Sequence, residues 1–166
     1  MKKLAILFLF TLVSCSTVSN YTKNTLNTDF FKNKTIVFTL NSNSKEQLNY
    51  EGPRAGYARP PNAKEVYRES IEELAKETKL NLKFEETERE ILSSEIHIDA
   101  EITGMKWIFT LSSATMKTDV NYVSKKENKL FKITGSYRNM SGGSEKNNLR
   151  KSFKNANYLL LKEIEK

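Results

Sequence analysis

Glu95-Ile96-His97-Ile98-Asp99-Ala100-Glu101-Ile102-Thr103-Gly104-Met105-Lys106-Trp107-Ile108-Phe109-Thr110-Leu111 is the stretch on which the fold turns. Its first half alternates, with Ile96, Ile98, Ala100 and Ile102 against His97, Asp99 and Glu101. That is the period of a strand with one buried face. After Gly104 the apolar set moves from even to odd positions, through Met105, Trp107, Phe109 and Leu111. One extra residue at a glycine, a β-bulge, keeps both halves facing one core; two strands broken at Gly104 is the alternative.

The same alternation continues downstream. Ala114, Met116, Val120 and Tyr122 share one parity, opposite Lys117, Asp119 and Asn121. A turn over 125–128 then leads to Phe131, Ile133 and Tyr137 facing inward, with Lys132, Thr134 and Ser136 outward. Upstream, Lys34–Leu40 is β-branched and aromatic and forms a first strand, and Leu80, Leu82 and Phe84 form a short second one.

Two helices complete the pattern. Asn62 stands three residues before Glu65 as a capping box, and Val66, Tyr67, Ile71, Leu74 and Thr78 make one apolar face ending near Lys79. The second helix spans about 148–165, with Leu149, Phe153, Ala156, Leu160 and Ile164 on one stripe. The expected class is α+β, in the order β-α-β-β-β-β-α. It has a four- to five-stranded antiparallel sheet and two helices on one face. Between the first strand and first helix, residues 41–61 form a long loop that holds all three prolines. Arg54, Tyr57 and Arg59 in that loop are candidate partner-binding residues for an anionic or aromatic surface.

Charge is unevenly placed. The net +7 divides into +2 for residues 1–14, −2 for 15–124 and +7 for 125–166. No RNP-like, zinc-finger or Gly-clamp motif supports nucleic acid as the partner of that basic end. Phospholipid head groups or glycolipid phosphates fit it better, and a solvated lysine-rich helix face is the plainer alternative.

His97, Asp99 and Glu101 project from one face of a strand, the arrangement that a metal-binding or acid/base enzyme would use. Same-face neighbours stand about 6.5–7 Å apart, so the three do not converge on one ion unaided. No G-x-S-x-G elbow frames a serine, and Gly142-Gly143-Ser144 lacks the lysine and spacing of a phosphate loop. No cofactor or metal site is expected.

The N-terminus supplies the remaining information. Met1-Lys2-Lys3 precedes ten uncharged residues, Leu4 to Val13, and then Ser14-Cys15. This is the layout of an export signal, and ten residues are half the roughly 20 that a spanning helix needs. Leu12-Val13-Ser14-Cys15 resembles the lipobox of bacterial lipoproteins. The resemblance implies that residues 1–14 are a signal peptide and that Cys15, the sole cysteine, is lipidated and begins the mature chain. Residues 15–33, rich in Ser, Thr and Asn, would be a tether, with a single domain over 34–166. The element order is similar to that of small α/β envelope lipoproteins of the lipopolysaccharide-assembly type, from which loop 41–61 departs. These resemblances imply a non-catalytic binding or assembly accessory. It would be lipid-anchored in the cell envelope, at the outer membrane facing the periplasm, with an envelope protein or anionic glycolipid as partner.

Overall fold

A computed structural model describes residues 26–53, 60–87, 92–140 and 142–166. Six strands and two helices follow in the order β1 (Thr35–Leu40), β2 (Asn49–Glu51), α1 (Ala63–Thr78), β3 (Leu82–Glu85), β4 (Glu95–Phe109), β5 (Ala114–Ser124), β6 (Lys129–Asn139) and α2 (Glu145–Ile164). The chain is therefore α+β, with one six-stranded sheet ordered β3-β1-β4-β5-β6 and β2 paired to the far half of β4.

The sheet is mixed, which corrects the antiparallel expectation. β4–β5 and β5–β6 pair antiparallel over long registers. β1, however, runs parallel to both of its neighbours, with Ile36 beside Leu82 on one side and Ile96 on the other. The cause is connectivity: α1 lies between β1 and β3, and a crossover of that length returns the chain in the same direction. β2 is a second addition, since Asn49–Glu51 of the long loop pairs with Lys106–Ile108.

β4 is one continuous strand, and its register against β5 shifts between Ile102 and Gly104. Thr103 is the extra residue, so the bulge keeps Ile98, Ile102, Met105 and Trp107 all in the core. Both helices pack on that face. In α1, the Asn62 side chain accepts from Glu65 N–H at 3.0 Å, and Lys79 closes the helix in the left-handed region (φ 60°). α2 begins earlier than 148, because Ser144 caps it through Asn147 N–H at 3.2 Å.

Between helices and sheet lies a buried polar knot. Asn157 Oδ1 accepts from Tyr122 Oη (2.7 Å) and Tyr67 Oη (3.2 Å), and its Nδ2 donates to Ser70 Oγ (3.1 Å). Each of these groups has a partner, so the knot fixes how α1, α2 and β5 meet at little desolvation cost. The core also takes in Leu26 and Phe31, two residues of the stretch 15–33. Packed chain therefore extends ahead of Lys34, because these two side chains find apolar cover there.

Candidate functional site

The strand face bearing His97, Asp99 and Glu101 is not an open polar surface at its start. His97 is only 3% exposed, and its Nε2 stands 3.1 Å from Oε2 of Glu95, itself buried. Val37 and Thr39 of β1 share this face and are buried too, so the sheet is covered on both sides here. Asp99 accepts from Thr39 Oγ1 and Asn41 Nδ2, both at 3.1 Å, while Glu101 accepts from Asn121 Nδ2 at 3.4 Å. Each of the three side chains thus serves a different neighbour. Among the described residues no group of three His, Cys, Asp or Glu side chains is placed to hold a metal ion.

The basic C-terminal region is divided by the fold. In α1, Glu65, Glu69, Glu73 and Glu77 recur every four residues, and in α2 Lys146, Arg150 and Lys154 do the same. The two stripes face each other. Lys146 Nζ reaches Glu65 at 2.9 Å and Glu69 at 2.8 Å, Arg150 Nε reaches Glu73 at 2.8 Å, and Lys154 Nζ bridges Glu73 and Glu77, the latter at 2.8 Å. The hydrogen bond and charge of Lys146 hold the Glu65 carboxyl below its ordinary range. The bonds from Lys146 to Glu69 and Glu65 hold the lysine above its own. This interhelical ladder escapes the sequence reading, which follows only the apolar face of α1. The four-residue period of the α1 acids, matched by the bases of α2, is the signal that could have found it.

A second cluster of basic side chains lies at one end of the sheet. There the chain enters through Leu26, pinned by Asn27 N–H donating to Glu165 Oε2 at 2.7 Å. A tight run of turn bonds follows: Phe31 N–H to Thr28 C=O, Lys32 N–H to Asp29 C=O, Lys34 N–H to Phe31 C=O. Asn33, at φ 64°, reverses the chain into β1. Beside this turn lie the start of β4, the β5–β6 turn and the C-terminus of α2. Together they enclose a cleft of about 440 Å³.

Phe30, Ile96, Phe131 and Ile164 line its apolar part, with Lys32, Lys34 and Lys126 at its edge beside Glu95 and Glu127. Lys34 Nζ sits 3.6 Å above the Phe30 ring, and Lys129 Nζ 4.7 Å above that of Phe131. Such cation–π contacts hold the ammonium groups over the apolar lining without neutralising them. None of these four lysines has an ion pair among the described residues. Leu92 and Leu130, 57% and 52% exposed, stand at the same end.

The other edge of the molecule is partly closed. On β6, Ser136 N–H donates to Asn155 Oδ1 of α2 at 2.9 Å, and Gly135 lies directly against Ser152 and Ala156. The helix thereby covers an edge that would otherwise present unpaired backbone. Arg54, Tyr57 and Arg59 fall outside the described residues, as does Cys15. No described helix is long and apolar enough to cross a membrane.

Fold and site together define an α+β domain whose two helices are ion-paired to each other and whose chain-entry end carries a basic, apolar-lined cleft. No family model matches the chain, and no curated protein matches it in sequence. Solved structures similar in shape include the following three. The first, described as an uncharacterized protein, is 9% identical, with 80% of this chain and 92% of that one covered and a TM-score of 0.47. A hypothetical protein from Chlamydia trachomatis is 17% identical over 79% of this chain and 93% of its own, with a TM-score of 0.35. A neuraminyllactose-binding hemagglutinin homolog from Helicobacter pylori is 13% identical over 80% and 84%, also with a TM-score of 0.35.

Proposed function

We propose that this chain is a lipoprotein of the bacterial cell envelope, held by lipid on Cys15, and that its domain is a non-catalytic binding or assembly accessory. The observation that carries the reading is the stretch Met1–Cys15, a charged start, a short apolar run and a lipobox-like Leu12-Val13-Ser14-Cys15. The geometry of the domain is compatible with it. The chain enters at the cleft end, so a lipid on Cys15 would tether that end first. Whatever their conformation, the eleven residues from Cys15 to Thr25 reach at most about 40 Å. The enzymatic alternative on the His97 face loses support, because His97, Asp99 and Glu101 are each committed to separate neighbours.

Radiolabelled palmitate supplied to cells expressing the full chain tests the lipid anchor. The parent incorporates label and fractionates with membranes. Cys15→Ala takes up none and retains its signal. Labelling or normal processing of Cys15→Ala overturns the assignment. Cross-linking in intact envelopes followed by pull-down tests the accessory role, and recovery of the protein alone counts against it.

A further inference from the structure

The geometry points to the chain-entry end of the domain as a surface that docks on a bilayer of anionic phospholipid. Lys32, Lys34, Lys126 and Lys129 are the cations of the surface, and Leu92 and Leu130 are its apolar contacts. This rests on the lipid-anchored reading and adds to it which side of the domain meets the membrane.

Three observations converge. First, charge is sorted by the fold. Lys146, Arg150 and Lys154 are consumed by the acids of α1, so the excess of the C-terminal region is not delivered along α2. Lys126 and Lys129, at the β5–β6 turn, have no ion pair among the described residues, and the N-terminal turn brings Lys32 and Lys34 to the same end. Asp29, Glu95 and Glu127 offset part of that charge, and four lysines against three acids leave a basic excess. Second, Leu92 and Leu130 are exposed large apolar side chains next in the chain to Ser93 and Phe131, which line the cleft. An exposed aliphatic beside ammonium groups suits the head-group region, where the lysine stem lies against hydrocarbon and the amine meets phosphate. Among the described residues the other two exposed large apolar side chains, Leu111 and Met140, stand at the opposite end, beside the β4–β5 turn and after β6. Third, the chain outside the described residues leaves from this same end at Leu26, and Cys15 is eleven residues away. A short connection from that point keeps this surface, rather than the α1 or β6 side, nearest the bilayer.

The test uses the chain from Ser16 to Lys166, which contains every core residue among the described residues and has no lipid. Cosedimentation compares vesicles of pure phosphatidylcholine with vesicles containing about 30% phosphatidylglycerol. Binding is expected to the second only, and to weaken as salt is raised. Each lysine neutralised at the surface lowers binding about fivefold. Lys32→Gln with Lys126→Gln should therefore lose roughly 25-fold at an unchanged melting temperature. The matched pair Lys45→Gln with Lys117→Gln, which changes net charge equally away from this end, should lose little. An equal loss in both pairs would show a response to net charge alone and overturn the proposal. So would equal binding to neutral vesicles, or no binding to either while the chain self-associates. Because the protein tested carries no lipid, failure of palmitate labelling and failure of vesicle binding are separate results.

Discussion

Gly135→Ala is the most incisive test of the packing. Gly135 lies in the middle of β6 under α2. A Cβ there would stand 2.2 Å from the backbone oxygen of Ser152 and 2.8 Å from both the Cβ and the backbone N of Ala156. Two of these three atoms belong to helix backbone, so no rotamer change relieves them; α2 must retreat by about 1 Å from the sheet to restore ordinary contact distances. That retreat stretches bonds that seat the helix, Ser152 Oγ to Met116 C=O at 3.2 Å and Ser136 N–H to Asn155 Oδ1 at 2.9 Å. Overpacking of this kind costs about 1–3 kcal/mol. Two weakened hydrogen bonds add about 0.5–1.5 kcal/mol each if lost outright. Against this, replacing a strand glycine by alanine recovers about 0.5–1 kcal/mol of chain entropy. The net expectation is a loss of about 2–3 kcal/mol, or roughly 5–10 °C in Tm for a domain of this size. Urea and thermal denaturation followed by circular dichroism measure it. Gly104→Ala is the companion, since its nearest neighbour is the Asp119 carboxylate at 3.1 Å, the end of a side chain rather than backbone. It should stay within about 1 kcal/mol of the parent. A Gly135→Ala protein melting within about 1 °C of the parent would refute the close seating of α2 on β6.

Two further outcomes follow from the charge and polar arrangement. Burial pushes the phenols of Tyr67 and Tyr122 far above their ordinary value, so each stays protonated in the fold while the unfolded chain ionises above pH 10. Their stabilisation is complete below pH 10 and falls as pH rises, by about 1.4 kcal/mol per pH unit per tyrosine. Tyr122→Phe should remove one such contribution from the alkaline limb of a stability–pH curve, and an unchanged slope would count against burial of that hydroxyl. The Glu65 carboxyl, held low by Lys146, stabilises the fold above its unfolded value near 4.5, and that contribution is lost as pH falls through the folded value. Glu65→Gln should flatten that part of the acid limb, and an acid limb superimposable on the parent's would remove the pair from the account.

Much of the architecture is legible in the sequence because it rests on local periodicity. The bulge at Gly104 shows as a change of apolar parity, and Asn62 shows as a cap three residues before Glu65. Both are short-range patterns that the backbone enforces directly. β2 is not legible. Asn49-Tyr50-Glu51 has no strand pattern of its own and becomes a strand only because the edge of β4 is there to pair with it. The start of α2 reads too late in the sequence because Glu145, Lys146 and Asn147 look like loop until Ser144 is recognised as the cap.

The candidate site is less visible still. His97 looks like a surface residue because its neighbours in sequence are charged. Its environment is set by Val37 and Thr39, far earlier in the chain, and by Glu95 turning back onto it. Sequence alone determined the types of every element but β2, their inward faces and the lipobox-like start, since each is written in a run of a few residues. Tertiary structure decided the direction of β1 and which acids neutralise α2. It also decided which lysines gather at the end where the chain arrives. Those outcomes depend on which segments meet across the core, and pairing between distant segments leaves no periodic trace in either one.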